Sequence, residues 1–194
     1  MYSDIDLMVA ISRGDMDQFS VLVTRHQHYV WKLAYRFIGD YHEAEDIACE
    51  AFLRILDAAP RYRPTGSFRA YLCLVTTRLC LDRTKKKRPL YFDQIPDSVD
   101  PNPFPDETYE QQQLATTLCL ALNRLPPRQR MAVILCYYQE LNHAQLAAVM
   151  NTTSKAVEHL LARAKQNLKY ELRDYLKEDL SQTGGLVPLT RLFM

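Results

Sequence analysis

Glycine is scarce in this chain, at five in 194 residues. So few residues without a Cβ leave no material for a glycine-rich loop that cradles phosphate. The five cysteines, Cys49, Cys73, Cys80, Cys119 and Cys136, form no CxxC pair, and none has a histidine beside it at metal-ligand spacing. Each sits in an apolar helical stretch, so buried, reduced thiols are expected, with neither a metal nor a cofactor. His26 and His28 lie on opposite flanks of one helical pattern and fit a core edge or a surface better than a ligand pair. No nucleophile and base stand in a recognisable pattern, and an enzyme is not expected. No apolar run approaches the roughly 18 residues that a membrane span needs. The opening stretch, MYSDIDLMVAISRGD, carries acids where a secretory signal would carry bases ahead of an apolar block, so a cytoplasmic location is expected.

Net charge is also small, at +1, but it is segregated along the chain. Residues 1–88 carry +3, residues 89–113 carry −6 with no basic residue at all, and residues 114–194 carry +4. Two mildly basic blocks therefore flank an acidic link. Each block suits nucleic acid, whereas the link suits a positively charged protein channel. The link, PLYFDQIPDSVDPNPFPD, holds five prolines and cannot continue a helix, so it predicts a flexible linker over 89–107 between two domains.

What is abundant is helical periodicity, and an all-α protein of two small helical domains is expected. A short helix runs from Asp4 to Arg13 and ends at Gly14. A second, from about Asp15 to Ile38, buries Phe19, Leu22, Val23, Val30, Leu33, Ala34, Phe37 and Ile38, and is closed by Gly39 and Asp40. A third, from about His42 to Ala58, turns Ala44, Ile47, Ala48, Ala51, Phe52, Ile55 and Leu56 inward and leaves Glu43, Glu45, Asp46 and Glu50 outside. Acids in a first turn complement the helix dipole. Four on one helix also suit a basic partner surface.

Pro60 opens a loop, PRYRPTG, that sets Arg61, Tyr62 and Arg63 between prolines and a glycine. Ser67 is placed to cap a fourth helix, whose Phe68, Tyr71, Leu72, Val75 and Leu79 face a core. Arg69, Thr76, Thr77 and Arg78 are expected on its surface, and it ends in a cationic run that includes Lys85, Lys86, Lys87 and Arg88. Charge for a backbone interleaved with a flat ring for a base is what single-stranded nucleic acid requires.

Helical pattern resumes near Thr108 with Leu114, Leu118, Leu122 and Leu125 and stops at Pro126-Pro127, where Pro127 suits the first turn of a helix over RQRMAVILCYYQEL. Residues 142–170 then show two helical patterns split by Asn151-Thr152-Thr153. Asn142 and Gln145 have capping-box spacing, and Thr153 or Ser154 can cap the second helix. On that helix Val157, Leu160, Leu161, Ala164, Leu168 and Leu172 form a buried stripe. The opposite face carries Lys155, Glu158, His159, Arg163, Gln166 and Lys169, the donor and acceptor types that meet base edges and phosphates in a major groove. A helical hairpin with a solvated outer face would show the same pattern.

Taken together, GDYHEAEDIACEAFLRIL (39–56), FRAYLCLVTTRLCLDRTKKKR (68–88) and the block from LNRLPPRQR to LLARAKQNL (122–168) resemble the extracytoplasmic-function sigma factors of the bacterial sigma-70 family. The resemblance implies a non-catalytic subunit that directs RNA polymerase to promoters. It assigns 1–88 to sigma region 2, 89–107 to the linker and 108–180 to sigma region 4, and leaves 181–194 as a tail without a role. It implies that Glu45, Asp46, Glu50 and Phe52 dock on core polymerase. Arg61, Tyr62, Arg63, Arg69, Arg78 and Lys85 to Arg88 would melt and hold the −10 element, and the outward face of the second motif helix would read the −35 element as duplex. An anti-sigma factor is implied as a further partner. Cys49, Tyr71, Arg78, Glu158 and His159 depart from the residues common at their positions, so base preference is not carried over from the family.

Overall fold

Short polar residues set the ends of the helices. In a computed structural model that describes residues 2–64, 66–86, 118 and 120–173, Ser3 caps α1 (Asp4–Ser12) in a full capping box with Asp6. Asp15 accepts from the amides of Asp17 and Gln18 at the head of α2 (Met16–Ile38). Gly39 ends α2 in the left-handed region at φ 81°, where a side chain is disfavoured. Asp40 then accepts from the Glu43 amide at 2.8 Å to start α3 (Tyr41–Ala58). A 3-10 turn (Ala59–Arg61) leads into the loop, and the Ser67 hydroxyl accepts from the Ala70 amide at 3.2 Å to cap α4 (Phe68–Lys86).

These helices form the first of two units, Met1–Leu90 and Tyr91–Met194. Within it α2 lies against α3 and α4, and α1 packs on α2 and the 3-10 turn. Leu22, Val30, Leu33 and Phe37 meet Ala44, Ile47, Ala51, Phe52 and Ile55, with Phe68, Leu72 and Leu79 closing the core. Asp4 ties α1 down by pairing with both Arg25 and His26 of α2.

Two expectations fail here. Thr76 and Thr77, read as surface residues, are 0% exposed. Thr76 returns its hydroxyl to the Leu72 carbonyl at 2.9 Å, which satisfies the donor and leaves the methyl to pack as an apolar group. Cys73 and Cys80 are buried as expected, and desolvation pushes both thiols up, but Cys49 is exposed on the outer side of α3.

The second unit has helical backbone at 120–123, then α5 (Pro127–Val133), α6 (His143–Val149) and α7 (Ser154–Glu171). Pro127 occupies the first turn of α5, as its fixed φ and missing N–H favour. α5 does not continue as a uniform helix to residue 141. It widens into a π turn over Ile134–Tyr138, followed by Glu140 at φ 53°. Met131 to Leu135 are all fully buried, so five consecutive apolar residues offer no period from which the change of pitch could be read. α5 and α6 both pack on α7. Among the described residues there is no strand, in keeping with the expected all-α class. The proposed linker, Leu114, Cys119, Lys87, Arg88 and the tail lie outside the described residues.

Arg130 holds the entry to this unit. Its guanidinium donates to the Asn123 side-chain oxygen at 2.8 Å, to the Asn123 carbonyl at 2.7 Å and to the Leu125 carbonyl at 3.4 Å. The Asn123 carbonyl lies at the end of a helical segment, where backbone carbonyls lack amide partners. Burial pushes the guanidinium down to about 10, so it remains charged at neutral pH. Arg130→Ala should therefore destabilise the second unit by about 2–3 kcal/mol, the effect of leaving part-buried acceptors without a charged donor. Urea unfolding followed by amide exchange should show the loss in 120–173 and not in 2–86; an unchanged midpoint would refute the clamp.

Candidate nucleic-acid interface

The second unit carries a helix-turn-helix. Asn142 accepts from the Gln145 amide at 2.9 Å while the Gln145 side chain accepts from the Asn142 amide at 3.0 Å, so both halves of the capping box form. Met150 to Thr152 make the turn, with Asn151 in the left-handed region at φ 49°, a conformation that asparagine tolerates better than most residues. Thr153, rather than Ser154, caps α7, accepting from the Ala156 amide at 3.2 Å. Val157, Leu161, Ala164 and Leu168 are buried, which fixes the rotation of α7 about its axis.

That rotation exposes Lys155, Glu158, His159, Arg163, Gln166 and Lys169 together. At 3.6 residues per turn, Lys155, His159, Ala162 and Gln166 run along the middle of the outer face, with Arg163 beside them. Glu158 lies on one flank, its carboxylate 3.8 Å from Nδ1 of His143 at the start of α6. Sequence reasoning passed over two residues of this face. Ala162 is small enough to let a base edge approach, and Tyr170 is 65% exposed with the Arg173 guanidinium 4.8 Å above its ring. Their spacing from His159 and Gln166 would have found them.

In the first unit, residues expected at one site fall on different sides of α4. Tyr71, Arg78 and Lys85 repeat every seven residues, close to two turns, and share one stripe. Tyr62 from the loop joins it, its ring 5.3 Å from Tyr71 and 6.5 Å from Phe68. Desolvation raises the phenols of Tyr62 and Tyr71, so both stay neutral and keep a hydroxyl donor. Arg61 and Arg63 are exposed beside them, and Lys85 pairs with Asp82 at 2.9 Å. Arg69 is elsewhere: about 160° from Tyr71 around the helix, it lies over the ring of Tyr29 on α2, 4.5 Å from the centroid. Lys86 is the last residue of α4.

The acidic face of α3 is present, and three of its acids have a basic neighbour. Glu45 lies 3.6 Å from His42, Asp46 lies 3.4 Å from Arg83 of α4, and Glu50 lies 2.6 Å from Arg54. Phe52 is only 5% exposed and belongs to the core. The apolar side chain that this face offers outward is Leu53, at 58% exposure. It follows Asp46 by seven residues and Glu50 by three, so periodicity places all three on one stripe. Among the described residues no cluster of three His, Cys, Asp or Glu could hold a metal ion, and no helix is long and apolar enough to cross a membrane.

Comparison with known proteins agrees with this division. Residues 22–89 match the family model of sigma-70 region 2, and residues 118–168 match that of sigma-70 region 4. The extracytoplasmic-function RNA polymerase sigma factor SigE of Mycolicibacterium smegmatis is 33% identical over 173 residues, covering 87% of this chain and 65% of its own length. SigW of Bacillus subtilis, another such factor, is 27% identical over 175 residues, covering 84% of this chain and 94% of its own length. Among solved structures, CnrH in complex with the cytosolic domain of CnrY gives a TM-score of 0.65 at 20% identity, covering 88% of this chain and 97% of that one. RpoE of Bartonella quintana, bound to the anti-sigma factor NepR, gives 0.63 at 15% identity, covering 80% and 96%. At those identities the two structures speak for the fold. With a region 2 model and a region 4 model matched in order, and relatives of one kind along most of its length, the chain belongs to the extracytoplasmic-function sigma factors of the sigma-70 family.

Proposed function

We propose that this protein directs core RNA polymerase to a set of promoters and initiates transcription there, with no catalysis of its own. The observation that carries the reading is the division of labour among exposed faces: an acidic face with an apolar centre on α3, a basic and aromatic stripe on α4, and a polar face on a capped helix-turn-helix. Residues 1–88 would act as region 2 and residues 108–180 as region 4, joined by 89–107.

Glu45, Asp46 and Glu50 would meet a basic surface of core polymerase, exchanging their internal partners for external ones. Leu53 supplies the apolar contact, and Phe52 supports the helix from below. The −10 element would open against Tyr62, Arg61, Arg63, Tyr71, Arg78 and the Lys85 to Arg88 run, with Arg69 at the side. The −35 element would enter against Lys155, Glu158, His159, Arg163, Gln166 and Lys169. An acidic, proline-rich linker suits a channel built for RNA, since it offers a similar charge. An anti-sigma partner follows from the company that related folds keep, in particular the RpoE complex with NepR.

Reconstitution with purified core polymerase tests the proposal. Promoters enriched by the holoenzyme from genomic DNA should give run-off transcripts that core alone does not give. A one-component DNA-binding regulator would instead shift duplex promoter DNA well by itself and yield no promoter-dependent transcript.

Two substitution pairs examine the assignments. Glu158→Ala should change base preference at one −35 position by about 1–3 kcal/mol, because a carboxylate in the groove accepts from a cytosine amino group. Lys169→Ala should instead weaken all promoters alike and lower the salt slope by about 1. Equal losses for both across a −35 substitution series would refute the division. On α3, Leu53→Ala should weaken binding to core polymerase by about 1–2 kcal/mol with little change in unfolding. Phe52→Ala should cost about 3–5 kcal/mol of fold stability. Titration of core polymerase beside thermal melts separates the two effects, and loss of core affinity in the Phe52 variant alone would refute the exposed-Leu53 assignment.

A further inference from the structure

α1 lies ahead of the stretch matched to sigma-70 region 2, yet it is tied to the loop that carries Tyr62. It buries Leu7, Met8 and Ile11, and it packs on α2 and on the 3-10 turn from which that loop departs. The polar part of the same contact is Asp4. One oxygen of its carboxylate pairs with Arg25, and the other lies 3.0 Å from Nε2 of His26. Arg25 also donates to the Tyr2 carbonyl at 3.3 Å, so the residues ahead of α1 are held with it.

His26 passes this constraint on. Its side chain is only 12% exposed, and its ring lies 5.2 Å from that of Phe68, the buried first residue of α4. Phe68 in turn stands edge-on to Tyr62, with 6.5 Å between centroids and an interplanar angle of 73°. An imidazole with a carboxylate on one side and a ring on the other has few rotamers left. Burial raises the Tyr62 phenol most, and Tyr71 and the Asp4 charge raise it further, so the carboxylate lies within electrostatic reach of the loop itself. An exposed ion pair between two helices would contribute little. This one is part-buried, is shared between two partners, and abuts the aromatic cluster on which Tyr62 rests.

We propose that Asp4 and His26 are positioning residues for the Tyr62 loop: α1 holds the loop, through Asp4, His26 and Phe68, where Tyr62 can meet the promoter. This rests on the promoter-opening function proposed above. Asp4 and His26 act through Tyr62 and need not touch DNA themselves.

Amide exchange reads the loop in the free protein. Holoenzyme reconstituted with core polymerase reads opening, on an enriched promoter fragment with 2-aminopurine placed in turn at each −10 position. Asp4→Asn keeps the size and loses the charge. Exchange should rise about three- to fivefold at Arg61, Tyr62 and Arg63 as well as in α1, and should not change in α3. The opening rate should fall by a similar factor, about three- to fivefold, with affinities for core polymerase and for a −35 duplex unchanged. His26→Phe keeps a ring against Phe68 but cannot pair with Asp4. It should also slow opening, and combining it with Asp4→Asn should cost less than the two losses added. Tyr62→Ala examines the route: once Tyr62 is gone, Asp4→Asn should have no further effect on opening. Additive losses from Asp4→Asn and Tyr62→Ala would overturn the proposal, and so would an Asp4→Asn loop whose exchange is unchanged. A fall in core and −35 affinity in step with opening would overturn it too, leaving Asp4 a residue of stability alone. Should the wild-type holoenzyme give no promoter-dependent transcript while the exchange result stands, the broader function fails instead, and the two failures are distinguishable.

Discussion

Burial of one stripe per helix is the constraint from which the functional surfaces follow. On α3, Ala44, Ile47, Ala51 and Ile55 meet the core, and this alone determines that Asp46, Glu50 and Leu53 point away from it. On α7, Val157, Leu161, Ala164 and Leu168 do the same for Lys155, His159, Arg163 and Gln166. A helix in water gains most of its stability from such packing and little from its own propensity. The apolar stripe therefore sets the rotation at which the polar face is presented. A change of one residue in that register would turn the outer face by about 100° and carry every contact residue with it.

Capping and clamping supply the precision that packing alone lacks. The capping box at Asn142 and Gln145 and the Thr153 cap determine where α6 and α7 begin, so the turn between them is closed to within a residue. Arg130 does the same work from the other side, binding the carbonyls at 123 and 125 before α5 starts. Asn167 adds a bond at 2.9 Å from α7 to Gln129, and Arg124 pairs with Glu171 at 2.7 Å. These polar contacts are individually modest. Their shared effect is to hold short helices in one arrangement.

In the first unit ion pairs connect the surfaces of different helices. Asp46 on the acidic face reaches Arg83 on α4, so α3 and α4 touch through an exposed pair. Arg54 covers Glu50, and His42 approaches Glu45. Exposed pairs of this kind are worth little and are readily exchanged. They moderate the acidic face in the free protein without closing it to a basic partner.

Much of this was readable in one dimension because helical periodicity and capping chemistry are local. Ser67, Asn142, Gln145 and Thr153 act where their spacing placed them, and the α7 stripe is buried as its period required except at Leu160, which is half-buried. By itself the sequence thus determined the helices, most of their inward faces and the polar character of the outer face of α7. Only the tertiary structure decided what depends on neighbours distant in the chain or on exact depth of burial. Thr76 went inside because a back-bonded hydroxyl lets threonine pack as an apolar residue, and Thr77 went inside beside the buried Cys73 thiol. The π turn after α5 arose in a run buried on every side, where no period survives to be read. Arg69 left the stripe of Arg78 for the ring of Tyr29, 40 residues earlier in the chain, because folding brought α2 against α4, a contact that no local pattern encodes.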